Sequence, residues 1–260
     1  MIEPTTRKLA IVTGASSGLG RTIALTLAEQ GWDVAFNHMA DQSGASTVAS
    51  ALRASGADVF VAESDVGLKR DVEAFFDSTT HHFGRPPDLL VNNAGIQTWG
   101  SLLDVDDADW DRVIRTNLKG CFLNTQRFAK ALIGTQRQGA IVNIGSACNQ
   151  VPFPKLVAYT ASKGGIEMFT KVSALELGPH RISVNCVAPG AILTERTLRE
   201  APDYEGSWSA LTPLGRVGGP QDVANAVLFF AAEKSSFVTG QTLFVDGGLF
   251  MAPRWPYAQS

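Results

Sequence analysis

Seven short apolar runs punctuate this chain, and segments of helical period separate them. The runs are Leu9–Thr13, Val34–Asn37, Val59–Ala62, Leu89–Asn92, Ala140–Ile144, Ser183–Val187 and Thr242–Val245. They are rich in β-branched residues and apolar at nearly every position, which suits strands covered on both faces. The intervening segments, Gly18–Gln30, Ser43–Ala54, Leu68–Phe83, Asp106–Ile133, Ala158–Leu177 and Pro220–Ala232, read as helices. Strand and helix in alternation imply right-handed crossovers and a doubly wound α/β sheet of seven parallel strands, with helices on both faces. No linker, repeat or low-complexity tract breaks the rhythm, so residues 1–260 read as a single domain. The exception is Leu193–Val217, which carries Pro202 and Pro213 and no strand pattern. A stretch of that kind reads as a substrate loop.

Composition narrows the partners. The net charge is -3 and basic residues do not cluster, which argues against nucleic acid. No apolar run approaches the ~18 residues of a membrane span. The N-terminal apolar stretch Leu9–Val12 is too short for a signal-peptide core, so a cytoplasmic location is expected. Cys121, Cys148 and Cys186 are odd in number and far apart, and His38, His81, His82 and His180 lack metal-site spacing. Neither a disulfide framework nor a metal site is expected.

The first strand runs into Thr13-Gly14-Ala15-Ser16-Ser17-Gly18-Leu19-Gly20 and then a helix. At this edge of a Rossmann-like sheet, a helix N-terminus offers unpaired N–H groups to a pyrophosphate. Gly14 permits the turn, Gly18 admits the phosphates and Gly20 allows close packing, with Ser16, Ser17 and Leu19 completing the cradle. The second strand ends Asn37-His38 without an acid; Asp33 stands at its start and Asp41 beyond its end. Absence of a carboxylate there leans the reading from NAD toward NADP, with His38, when protonated, as a weak partner for a 2′-phosphate.

Ser146 follows the fifth strand, and Tyr159 and Lys163 stand one turn apart on the next helix. An ammonium about 5 Å from a phenol, at an effective dielectric of about 20, stabilises the phenolate by roughly 3 kcal/mol. Such a pair suits proton exchange near neutral pH. Together with Asn92-Asn93-Ala94-Gly95, Asn117, Pro189-Gly190 and the closing Val245-Asp246-Gly247-Gly248, these motifs resemble the short-chain dehydrogenase/reductase family over essentially the whole chain. The resemblance implies a nicotinamide cofactor and hydride exchange with an alcohol or carbonyl. Tyr159 would exchange the proton and Ser146 would bond the substrate oxygen. Lys163 would also hold the ribose, and Asn117 would carry a water relay. It further implies cofactor contacts from Asp65 and Val66, from Asn92, Ala94 and Gly95, and from Pro189, Gly190, Ile192 and Thr194. A homotetramer is also implied, built on the long helices, with the tail Met251–Ser260 reaching a neighbouring subunit.

The substrate is a small molecule, and Gln97, Trp99, Asn149, Gln150, Phe153, Glu195, Tyr204 and Trp208 are candidate contacts. Val151–Pro154 and the tail are most similar to bacterial aldose 1-dehydrogenases of the glucose type, which favours a sugar or polyol. Gln97 and Cys148 depart from that type and point away from glucose itself. The alternative is a 3-oxoacyl thioester or small-ketone reductase, with Arg115, Lys119, Arg127 and Lys130 as a carrier-binding face. A non-catalytic dinucleotide-binding redox sensor is a more remote alternative, because the chain keeps every proposed catalytic residue.

Overall fold

The apolar runs become strands because each finds cover above and below. In the computed structural model, which describes residues 7–251, seven strands form one parallel sheet in the order β3-β2-β1-β4-β5-β6-β7. They are β1 (Lys8–Val12), β2 (Trp32–His38), β3 (Val59–Glu63), β4 (Leu89–Asn92), β5 (Gly139–Ile144), β6 (Ile182–Pro189) and β7 (Thr242–Val245). Side chains alternate between two cores. Ala10, Val12, Val34, Phe36, Leu89 and Val91 pack with residues of α1 (Gly18–Glu29), α2 (Gln42–Ala54) and α9 (Pro220–Ala231). Ile11, Ala35, Leu90, Ile141 and Val184 pack with α3 (Lys69–Phe83), α5 (Gly120–Gly134) and α6 (Val157–Leu177). Phe36 and Phe128, one from each core, are fully buried, and each such side chain stabilises the fold by about 1.5–3 kcal/mol.

The chain walks outward from β1 to β3, then returns to place β4 on the other side of β1. The carboxyl ends of β1 and β4 therefore diverge into opposite connections, and the crevice between them is where such sheets take ligands.

One expected helix differs. Asp106–Ile133 is helical throughout, but α4 (Asp107–Ile114) joins α5 through a π-helical turn at Arg115–Lys119. Asn117 sits in this turn, and its amide pairs with the backbone of Ile96, accepting from N at 2.8 Å and donating to O at 2.9 Å. A π-turn adds a residue without breaking the helix, and it turns Asn117 toward the β4 loop.

The long strandless stretch carries α7 (Glu195–Glu200) and α8 (Tyr204–Ser209) and is closed at its base. Leu193 N donates to Gly218 O at 2.8 Å, and Gly218 N donates to Ala191 O at 2.9 Å. The tail contact expected of residues 252–260 lies outside the described residues. Among the described residues no helix is long and apolar enough to cross a membrane.

Asp222 fastens the far end of this loop to α9. Arg216 grips its carboxylate at 2.8 and 3.0 Å, and Gly219 N donates to it at 2.8 Å. The Arg216 guanidinium and then the Gly219 N–H hold the Asp222 carboxyl below the usual carboxylate range. A depressed folded pKa adds stability above the unfolded value, near 4, and that stability is lost as pH falls through the folded value. Asp222→Asn should therefore cost about 1 kcal/mol at pH 7, and the difference between wild type and variant should shrink as the pH is lowered through the carboxylate range, as read by denaturant unfolding across an acid pH series.

Candidate active site

The glycine turn is held by side chains that replace missing ladder partners. Asn93 Nδ2 donates to Thr13 O at 2.8 Å and to Gly14 O at 3.1 Å. Thr13 Oγ1 accepts from the N–H groups of Asn93 and Ala94, both at 3.0 Å. Asn37 Oδ1 accepts from Gly14 N at 3.1 Å, while its Nδ2 donates to Ser64 O at 2.7 Å. Gly14 and Gly18 take φ of 65° and 54°, a region that costs other residues a steric clash. A Cβ on Gly20 would lie 2.5 Å from Gly14 O, so only glycine lets α1 start this close to β1. A Cβ on Gly18 would meet nothing within 4 Å, because that face of the turn opens into the cleft.

The second cluster gathers at the carboxyl end of β5. Lys163 is 4% exposed, and its Nζ donates to Ile144 O at 2.7 Å. The same Nζ lies 5.5 Å from the centre of the Tyr159 ring. Ser146, two residues past Ile144, accepts from Cys148 N at 3.2 Å. Ser162 Oγ donates to Tyr159 O at 2.7 Å and accepts from Asn117 Nδ2 at 3.0 Å. One chain of bonds thus runs from the β4 loop through Asn117 to the turn of α6 that bears Tyr159. Burial pushes the Tyr204 phenol up, which keeps this second tyrosine of the cleft protonated. Burial also pushes up the thiols of Cys121, Cys148 and Cys186, so none is a ready nucleophile.

Both clusters line one cleft of about 1100 Å³. A family model described as enoyl-(acyl carrier protein) reductase matches residues 14–250. The chain belongs to the short-chain dehydrogenase/reductase family. It is therefore an NAD(P)-dependent oxidoreductase of hydroxyl or carbonyl groups. It is 40% identical to a 3-oxoacyl-[acyl-carrier-protein] reductase of Staphylococcus aureus over 244 residues, covering 94% of this chain and 98% of that protein. It is 36% identical to 3beta-hydroxysteroid dehydrogenase 1 of Eggerthella lenta, covering 97% of each. The structure of an acetoin dehydrogenase from Enterobacter cloacae superposes with a TM-score of 0.88 at 36% identity, covering 98% of this chain and all of that one.

In this short-chain dehydrogenase/reductase the cleft is lined beside the glycine turn by Gly14, Ser16, Ser17, Gly18, Leu19, Gly20, Asn37, His38, Asp65, Val66, Ala94 and Gly95. At its other end lie Gln97, Ser146, Tyr159, Lys163, Pro189, Gly190, Ile192, Thr194 and Trp208. Several of these also have structural duties. Thr194 caps α7, and Asp65 accepts from Gly67 N at 2.8 Å and pairs with Arg115 at 3.5 Å.

Four of the expected site residues stand elsewhere. Asn92 lies beneath the site, where its amide donates to Thr125 Oγ1 at 3.1 Å and Asn143 Oδ1 at 2.9 Å; the next residue, Asn93, reaches the cleft instead. Asn117 does not line the cleft; its amide bonds Ile96 and Ser162. Asn149 does not line the cleft, because its Oδ1 accepts from Ser146 N at 3.0 Å. Gln150 turns away to Glu167 at 3.3 Å. Spacing alone places these amides near the site; it does not say that unpaired backbone claims them first.

Asp41, beyond the end of β2, lies on the wall of the cleft. Phe250 is a second wall residue that its position in the chain did not signal.

Asn149 holds the backbone of Ser146. Asn149→Ala should lower kcat about 10- to 100-fold with KM and cofactor affinity within about threefold, the split expected when a residue outside the cleft loosens the expected catalytic Ser146. Steady-state kinetics with calorimetric cofactor titration check this split.

Proposed function

We propose that this oxidoreductase exchanges hydride with a secondary alcohol or ketone carried on a largely apolar, ring-sized body. The observation that carries this reading is the aromatic wall beyond Ser146. Phe153 packs edge-on against Phe250 at 5.7 Å and Trp208 at 6.5 Å, and Tyr204 lies 6.1 Å from Trp208. Trp99 adds an exposed ring on the same cleft. Such surfaces bury apolar substrate faces, and a few polar groups then fix orientation. A sugar needs a hydrogen-bond partner for most of its hydroxyls, and Asn149 and Gln150 are already committed elsewhere. The Eggerthella lenta relative is named for a hydroxysteroid and the Staphylococcus aureus relative for a 3-oxoacyl group. Both names are compatible with an apolar body.

The glycine turn fits a dinucleotide, since Gly18 leaves open space above the start of α1. The turn from Gly14 to Gly20 would hold its pyrophosphate, Asp65 and Val66 its adenine, and Lys163 its nicotinamide ribose. When bound, the cofactor supplies or accepts the hydride. Tyr159 donates its phenolic proton to the carbonyl oxygen in reduction and takes it back in oxidation. The Lys163 Nζ stands 5.5 Å from the centre of the Tyr159 ring, with its charge held in place by Ile144 O. Ser146 donates to the same oxygen and holds it toward Tyr159. Asn117, through Ser162, keeps the Tyr159 turn in register. Pro189, Gly190, Ile192 and Thr194 would wall the nicotinamide end.

We also carry the homotetramer and the cytoplasmic location as part of this reading. Phe122, Met168, Val172 and Leu175 on α5 and α6 are exposed apolar groups that a second copy would cover.

The test is a panel of hydroxysteroids, aryl and alkyl ketones, 3-oxoacyl thioesters and polyols, run with both cofactors and read at the reduced-nicotinamide absorbance band. Ring-bearing ketones or alcohols should give the highest kcat/KM, whereas a clear preference for polyols would return the sugar reading. On the best substrate Tyr159→Phe should lower kcat by roughly 10²–10⁴-fold with cofactor affinity kept, because only the transferable proton is lost.

A further inference from the structure

Beyond β7 the chain makes one tight turn, and Asp246 opens it. Both carboxylate oxygens are used inside the turn. Oδ1 accepts from Gly248 N at 2.9 Å, and Oδ2 accepts from Phe250 N at 3.1 Å. The backbone closes the same turn, with Leu249 N donating to Asp246 O at 3.1 Å. Phe250 stands on neither a helix nor a strand. Its place is therefore fixed by a side chain four residues earlier, through a charge-assisted bond of the stronger kind.

Neighbouring segments converge on this turn. A Cβ added to Gly190, just past β6, would lie 2.6 Å from Asp246 Cβ and 3.3 Å from Phe250 Cε2, so the missing side chain lets the turn lie against the strand end. Phe153, from the connection between β5 and α6, meets the Phe250 ring edge-on at 5.7 Å and links it to Trp208 on α8. The end of the substrate loop rests on the turn as well. Leu214 N donates to Gly247 O at 3.3 Å, and Pro213 Cγ lies 3.2 Å from the Cβ position of Gly248. Phe250 lines the cleft and Asp246 does not. A carboxylate outside the cleft thus seats a ring inside it.

We propose that Asp246 is a positioning residue for substrate selection: it seats the Phe250 ring beside Gly190 and so sets how much apolar body a substrate buries against that wall. The inference rests on the apolar, ring-sized substrate proposed above and adds the residues that measure its size. Ser146, Tyr159 and Lys163 stand on other segments. Loosening the turn therefore weakens the hold on a large substrate, which is read in KM, more than it disturbs the proton-handling cluster, which is read in kcat. Because Asp246 acts through Phe250, loss of either removes the same interaction, and losing both removes little more.

The test is steady-state kinetics of the purified protein with 1-decalone and with 2-butanone, using NADH and NADPH, for wild type, Asp246→Asn, Phe250→Ala and the double variant. Asparagine leaves one of the two N–H groups without its acceptor. Melting temperatures check that each variant folds, and Asp246→Glu, which keeps the charge but displaces it, serves where Asp246→Asn does not fold. Each single variant should lower the ratio of kcat/KM for decalone over butanone by at least about fivefold, chiefly through the decalone KM. The double variant should lie within about twofold of the single ones. An unchanged or raised ratio in Asp246→Asn would overturn the proposal, as would single effects that multiply in the double variant. If the wild type turns over neither ketone, the ring-bearing reading falls instead, and the same cycle on the largest and smallest substrates it does accept decides the role of Asp246 separately.

Discussion

Backbone that runs out of partners is the constraint on which this structure depends. A parallel strand that ends at a switch in sheet order leaves N–H and C=O groups without a neighbouring strand, and burial makes each one costly. Here amide side chains take the place of the missing strand. Asn37 serves the glycine turn and the end of β3, Asn93 bonds Thr13 and Gly14, Asn117 pairs with Ile96, and Asn149 accepts from Ser146. Asn185 does the same further along, accepting from Gln241 N at 3.1 Å and donating to Val238 O at 2.8 Å. An amide is suited to this task, since it carries a donor and an acceptor in the spacing of a peptide group. Satisfying the backbone and building the site are thus one act: the proposed catalytic groups stand on segments that these amides fix.

The same economy organises the proton-handling cluster. β5 ends by giving Ile144 O to Lys163, then turns through Gly145, whose N–H bonds Val187 O at 2.8 Å, to present Ser146. α6 carries Tyr159 and Lys163 on one face and is tied back to β4 through Ser162 and Asn117. Each proposed catalytic side chain therefore stands on a regular element or immediately after one. The substrate end is built differently, from aromatic rings on a loop, on the last described turn and beside the β4 loop.

Much of the fold was legible because burial on both faces writes itself into composition: all seven apolar runs are strands, and the six long helical segments fall close to their expected bounds. The glycine turn and the Tyr159/Lys163 pair were legible because their spacing is local. What escaped was anything decided by a competing hydrogen bond or an unusual backbone angle. The π-turn at Asn117 depends on a bond to Ile96, remote in sequence. Asn149 and Gln150 have the composition of substrate contacts, yet bond to Ser146 and Glu167. Asp41 lies beyond its strand in the sequence, and the left-handed φ of Ala40 turns the chain back there; an alanine gives no hint of that in a sequence.

The paired bonds at Ala191, Leu193 and Gly218 have a consequence for how such a protein diversifies. They bring the two ends of a long excursion together at a neck of backbone bonds. Residues between those ends can change length and character while the neck holds, provided the ties of Glu195 to Arg21 and of Trp208 to Phe153 are kept or replaced. A recombinant chimaera joined at that neck would inherit the scaffold's hydride chemistry and the donor's taste in substrates.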